Sequence, residues 1–173
     1  HGKGEIVDYV NVAKAKGLLK VLGFSEHAPL PDRTLDYGTR MAYSELDDYE
    51  RDVKRADGRG GIKVLLGAEC DWIEDEAGYY RDELLGERGY SYLLGSVHSM
   101  VSPVTGLDTY ISRIGIAFRP MLPEYVRKYT KMLSSGLFLY GCHPDLYMCG
   151  MKTPRLQQKI SGSVQKIVVY LWK

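Results

Sequence analysis

Four short stretches of this chain carry side chains suited to metal chemistry. They are Gly23-Phe24-Ser25-Glu26-His27, Gly67-Ala68-Glu69-Cys70-Asp71, Leu94-Gly95-Ser96-Val97-His98 and Gly141-Cys142-His143-Pro144-Asp145. In each, a short apolar run ends in a His or a Glu. Imidazole and carboxylate are good ligands for zinc, manganese and iron. Two such ions a few ångströms apart clamp a phosphoryl group and acidify a water, which supplies hydroxide near neutral pH without a protein nucleophile. Glu69 is the acidic residue placed to bridge two metals. Motifs for other mechanisms are missing. The chain has no Gly-x-Ser-x-Gly elbow, no Gly-rich phosphate loop followed by Lys and Ser or Thr, and no Gly-x-Gly-x-x-Gly.

Each residue also has a plainer explanation. His27, as a ligand, would have Glu26 beside it as an acceptor; its plainer reading is a loop residue tied to Asp32 or Arg33. Asp145 could be a turn residue and nothing more. Glu69 is costly to bury without a partner, which calls for a metal or an arginine. Arg33 and Arg40 follow the first motif and are either surface charges or bidentate phosphate ligands. His1 is the weakest candidate. Single strand-end histidines are usually structural, but four coincident accidents are hard to assemble.

The elements that would position these residues follow from periodicity. Ile6, Tyr9, Val10 and Ala13 give a helix over 5–16 one apolar face, with Gly17 as its stop. A strand over 20–25 delivers Glu26 and His27. Residues 31–40 form a loop, of a length that is usually functional. Ser44 and Asp47 suggest a capping box for a helix over 44–57, ended by Gly58, Gly60 and Gly61. Strands are expected over 62–66, 90–97 and 137–141, and a helix over 123–135 with Tyr125, Tyr129 and Met132 on one face. Residues 75–87 fit either helix or loop, and 99–119 give no clear pattern. Strands alternating with helices imply an α/β fold with a parallel sheet. Ligands in such folds bind at the carboxyl ends of the strands.

Bulk properties bound the rest. The 173 residues suggest one domain over 1–173, with 45% apolar and 26% charged residues. A formal charge of +1 without a basic block argues against nucleic acid as a partner. No apolar run is long enough to span a membrane. Three cysteines do not make a disulfide framework, so reduced thiols and a cytoplasmic location are expected. Tyrosine is unusually frequent, at 14 against 3 phenylalanines, and many of these are expected at the surface.

Taken together, the motifs resemble the PHP superfamily of metal-dependent phosphoesterases, and its histidinol-phosphate phosphatase branch in particular. Gly-Phe-Ser-Glu-His-Ala-Pro-Leu-Pro, with Tyr37 to Met41 after it, is similar to one family motif. Gly-Ala-Glu-Cys-Asp, Gly-Ser-Val-His and Gly-Cys-His-Pro-Asp-Leu resemble three more, and His1-Gly2 resembles the end of the opening His-x-His-Gly. The similarity covers roughly residues 1 to 148, and residues 150–173 match poorly. It implies a distorted (β/α)7 TIM-like barrel, incomplete in this chain. It also implies two or three divalent metal ions (Zn, Mn or Fe) held by His1, His27, Glu69, His98 and His143. Glu69, His98 and His143 would form the catalytic centre, with Arg33 and Arg40 binding substrate. The implied reaction is hydrolysis of a small phosphate ester, L-histidinol phosphate, to histidinol and phosphate in histidine biosynthesis. An opening His-x-His and a late Asp-x-His are absent, so the chain alone is expected to be weakly active or inactive. Two alternatives remain: a non-catalytic binding module of the same fold, and a phosphodiesterase or phosphatase for another ester. Oligomeric state is not legible.

Overall fold

The computed structural model describes residues 4–17, 19–33, 38–102, 105–114 and 119–150. The chain divides into two compact units, His1–Leu94 and Gly95–Lys173. His1 and the poorly matched tail from 151 onward lie outside the described residues.

In the first unit, α1 (Ile6–Lys16) buries Val10 and Ala13. The Asp8 carboxylate accepts the Glu5 N–H at 3.0 Å and caps the helix start. Gly17 ends it with φ 65°, its N–H reaching Ala13 O and Lys14 O. The following strand β1 (Val21–His27) is longer than its apolar run predicts and includes Glu26 and His27. Next come a 3₁₀ turn (Tyr43–Glu45) and α2 (Leu46–Ala56). The expected Ser44 cap does not form. Instead the Glu45 carboxylate accepts the Ala42 N–H at 2.7 Å and caps the 3₁₀ turn. Leu46, Glu50, Val53 and Ala56 repeat at three- or four-residue spacing and are the buried face of α2.

Strand β2 (Lys63–Asp71) runs parallel to β1, with Gly23 opposite Leu65 and His27 opposite Glu69. Its start is fixed by Asp57, whose carboxylate accepts the Val64 N–H at 2.8 Å and pairs with Lys63 at 2.6 Å. The strand is expected over 62–66, but pairing continues through Gly67 to Glu69. Gly67 is small for a steric reason. A Cβ there, or at Gly23, would collide with the Tyr92 ring. Beyond β2 lie a 3₁₀ turn (Glu74–Glu76) and a nine-residue π-helix (Tyr79–Glu87). Its wide turns bury Tyr79, Tyr80 and Leu84. Strand β3 (Tyr92–Ser96) then lies beside β2, and the Ser91 N–H donates to Leu66 O at 2.7 Å.

In the second unit, β4 (Ser99–Val101) and β5 (Asp108–Tyr110) form an antiparallel ribbon within the stretch that showed no clear pattern. Strands of three residues are too short to show a period. A short α3 (Ile111–Ile114) leads on to α4 (Leu122–Ser134), which buries Tyr125, Tyr129 and Met132 as its spacing predicts. Strand β6 is only Tyr140–Gly141, shorter than expected, and the buried Phe138 before it packs near Gly95. The Cys142 N–H donates to Gly95 O at 2.7 Å.

Among the described tyrosines, only Tyr9 and Tyr140 are exposed. Contrary to a surface role, six phenols donate to main-chain carbonyls. Tyr49 bonds Gly67 O (2.8 Å), Tyr79 bonds Pro29 O (3.0 Å), and Tyr80 bonds Asp71 O (2.5 Å). Tyr92 bonds Phe24 O (3.0 Å), Tyr125 bonds Pro144 O (2.9 Å), and Tyr129 bonds Cys142 O (2.9 Å). Phenylalanine fills similar space but cannot satisfy a buried carbonyl. No described helix is long and apolar enough to cross a membrane.

Candidate functional site

The parallel register of the first unit sets two of the four motifs side by side. His27 and Glu69 are direct partners across β1 and β2, and His27 Nε2 lies 3.9 Å from Glu69 Oε2. Both side chains are mostly buried. The backbone around them is tightly bonded. The Ala28 N–H donates to Glu69 O at 2.9 Å, and the Met41 N–H donates to His27 O at 3.2 Å. Tyr49 spans the two strands, accepting the Glu26 N–H at 3.4 Å while donating to Gly67 O. Burial pushes the Tyr49 phenol well above its ordinary range, so it remains a donor. The Glu26 carboxylate accepts the His27 main-chain N–H at 3.0 Å. It thus steadies the backbone of His27, where the sequence suggested an acceptor for the ring.

In the second unit the ligand candidates are two imidazoles. His98 Nε2 and His143 Nε2 are 3.2 Å apart, and their ring centroids 4.8 Å. His98 follows the end of β3 and is only 3% exposed. The His98 ring stacks on Tyr110, with centroids 5.4 Å apart and planes 14° from parallel. His143 follows β6 with φ 29°, unusual for a residue with a side chain. Phenols fix the chain on both sides of it, Tyr129 at Cys142 O and Tyr125 at Pro144 O. The Leu146 N–H donates to His143 O at 3.0 Å and closes the turn.

The two arginines sit differently. Arg40 has a side chain only 6% exposed and an NH1 2.5 Å from Asp71 Oδ2. An arginine partner was one explanation for a buried Glu69, but this guanidinium goes to the carboxylate two residues on. Arg33 is 59% exposed in its side chain. Its guanidinium carbon lies 3.8 Å over the Tyr43 ring, its NH2 bonds Tyr43 Oη at 2.8 Å, and Glu83 stands 3.7 Å away. Tyr43 also bonds Glu83 and Arg88, and Arg88 reaches Asp47 (2.9 Å) and Glu50 (3.0 Å).

Sequence reasoning missed Asp71 as the Arg40 partner, Tyr110 as a ring against His98, and the phenols around the motifs. The excess of tyrosine over phenylalanine was the one available signal for the last group.

The donor chemistry suits a divalent metal. Two nitrogens bound to one zinc at about 2.0–2.1 Å in a tetrahedron are roughly 3.3 Å apart. The His98 and His143 nitrogens, at 3.2 Å, match that spacing. The His27 and Glu69 atoms, at 3.9 Å, stand slightly wider. A carboxylate with two oxygens can also be shared between ions.

Comparison with known proteins agrees with this chemistry. The PHP domain family matches residues 1–170. PHP domains are typically metal-dependent, and the family's members are generally hydrolases. No curated protein matches the chain. Among solved structures, the chain is similar to a candidate histidinol phosphatase, HisK from Listeria monocytogenes. The match has a TM-score of 0.71 at 17% identity, over 99% of this chain and 74% of that one. At that identity the likeness bears on the fold alone, which is a mixed α/β fold with a parallel sheet. With the family matching nearly the whole sequence, the chain belongs to the PHP domain family.

Proposed function

We propose that this chain is a metal-dependent phosphomonoester hydrolase acting on L-histidinol phosphate, in the cytoplasmic biosynthesis of histidine. The observation that carries the proposal is a pair of metal-competent side chains, at or close to the carboxyl ends of strands, in each unit of a PHP domain. His27, Glu69, His98 and His143 are the metal ligands, and His1 is a fifth. The ions are two or three of zinc, manganese or iron, and the full fold is a distorted (β/α)7 barrel. Such ions supply Lewis-acid polarisation of a phosphate and a water that ionises near neutral pH.

The chain's own residues then have distinct tasks. Glu69 carries the negative charge that a cationic site needs, and its two oxygens allow it to bridge. His98 and His143 present Nε2 atoms in their neutral form as donors. Arg33, exposed and stacked on Tyr43, is the phosphate contact that requires least rearrangement. Arg40 reaches a phosphate only by sharing or leaving Asp71.

The test is phosphate release by the 173-residue chain in Mn²⁺ or Zn²⁺, without chelator. The panel contains L-histidinol phosphate, other phosphomonoesters and a bis-aryl phosphate. The expected outcome is weak, metal-dependent release, fastest from L-histidinol phosphate and more than about 100-fold slower in His98→Ala, beyond the range for outer partners of ligands. Cleavage of the diester in preference to the monoesters would make the chain a phosphodiesterase. Equal rates for parent and His98→Ala would remove the catalytic claim.

A further inference from the structure

We propose that Tyr110 is a positioning residue for the metal ligand His98, acting by stacking rather than through its hydroxyl. This rests on the reading of His98 as a ligand. A histidine ring turns about a broad, roughly two-fold torsion, so packing must choose its plane. The β4–β5 ribbon provides that packing. Ser99 is the register partner of Tyr110, and the Ile111 N–H donates to His98 O at 2.8 Å. These pairings hold Tyr110 beside the residue that precedes β4, and its ring lies nearly parallel to the imidazole. Ser99 Oγ also donates to Asp108, the register partner of Val101, at 2.9 Å and so ties the two strands together diagonally. The result is a His98 plane in which Nε2 faces His143 Nε2 at 3.2 Å. The ribbon, which carries none of the four metal motifs, thereby acquires a role. It is a splint that sets one ligand before any ion arrives. Such preorganisation lowers the cost of binding, and outer partners of metal ligands typically contribute about 10–100-fold in affinity.

The test uses the 173-residue chain and Zn²⁺ binding, measured by competition with a chromophoric chelator. Co²⁺ absorption reports the coordination geometry alongside it. Four variants are compared with the parent: His98→Ala, Tyr110→Phe, Tyr110→Ile and Tyr110→Thr. Far-UV circular dichroism confirms that each folds, and the two β-branched residues preserve strand propensity in the ribbon. The expected result is affinity within about 2-fold of the parent for Tyr110→Phe. It is about 10-fold weaker, with an altered Co²⁺ spectrum, for Tyr110→Ile or Tyr110→Thr. Parent-like affinity in a folded aliphatic variant overturns the proposal. So does a 10-fold loss in Tyr110→Phe, which would assign the effect to the hydroxyl and is readable whether or not the aliphatic variants fold. Unchanged affinity in His98→Ala instead overturns the ligand assignment beneath it.

Discussion

The two units frame their metal-competent pairs by different physics. In the first, a carboxylate and an imidazole sit on paired strands, and a buried ion pair, Arg40–Asp71, lies two residues beyond Glu69 on the same strand face. In the second, two imidazoles face one another, with an aromatic stack behind one and an unusual backbone angle at the other. Backbone pairing alone brings His27 to Glu69, since seven consecutive register pairs lead to that end. His98 and His143 stand just past short strands, so their alignment depends on side chains from α4 and the β4–β5 ribbon. Strand pairing can therefore be specified by a local apolar run, while the second arrangement needs partners distant in sequence.

The comparison predicts unequal sensitivities. The largest stability loss should come from Asp71→Asn, which removes the carboxylate charge facing the buried Arg40 guanidinium. Removing one partner of such a pair costs about 3–5 kcal/mol, and the double variant Arg40→Met/Asp71→Leu should recover most of it. Urea denaturation of the three proteins measures this. Equal stability of Asp71→Asn and the parent would mean that the pair contributes nothing. In the second unit, Tyr129→Phe leaves the Cys142 carbonyl without its phenol, at a cost of about 1–3 kcal/mol. If the phenol matters for His143, Zn²⁺ affinity should fall along with stability. A drop in stability with unchanged affinity would reduce Tyr129 to a core residue.

The smallest effect at neutral pH, but one shared by both units, is alkaline. Burial raises the phenols of Tyr49, Tyr79, Tyr80 and Tyr125 above 10.0, and that of Tyr147 to about 12. Below pH 10 these groups are protonated whether the chain is folded or not, so their contribution is complete. Above pH 10 the unfolded chain ionises them while the folded chain does not, and stability falls as pH rises toward the folded values. Thermal melts should therefore be flat with respect to these groups up to about pH 10 and decline beyond it. Melting temperatures unchanged at pH 11.5 would contradict the buried phenols.

Much of the fold was legible because it is local. The apolar face of α4, the buried Val10 and Ala13 of α1, the Gly17 stop and the strand-end positions of His27 and His98 follow from spacing within a few residues, whereas Tyr9, expected on the apolar face of α1, is exposed. Glu69 reads as lying just past a strand, but β2 continues through Gly67 and carries Glu69 inside it. A glycine needed for the close approach of Tyr92 looks the same in sequence as a glycine that ends a strand. Asp71 could not be matched with Arg40 across 31 positions from pattern alone. The six phenol-to-carbonyl bonds were hidden for the same reason, since their partners lie up to 68 residues away. The ribbon and the π-helix have no period long enough to detect.

The positive φ at His143 has a consequence for how that position can be edited. Its backbone lies in the region that alanine resists and that glycine and asparagine enter readily. An alanine there would delete a donor and bend the chain path at once, so its phenotype would mix two causes. Asparagine is the substitution that separates them. It preserves the local route of the main chain while replacing the imidazole, so position 143 has a built-in neutral allele for the turn and a null allele for the ring.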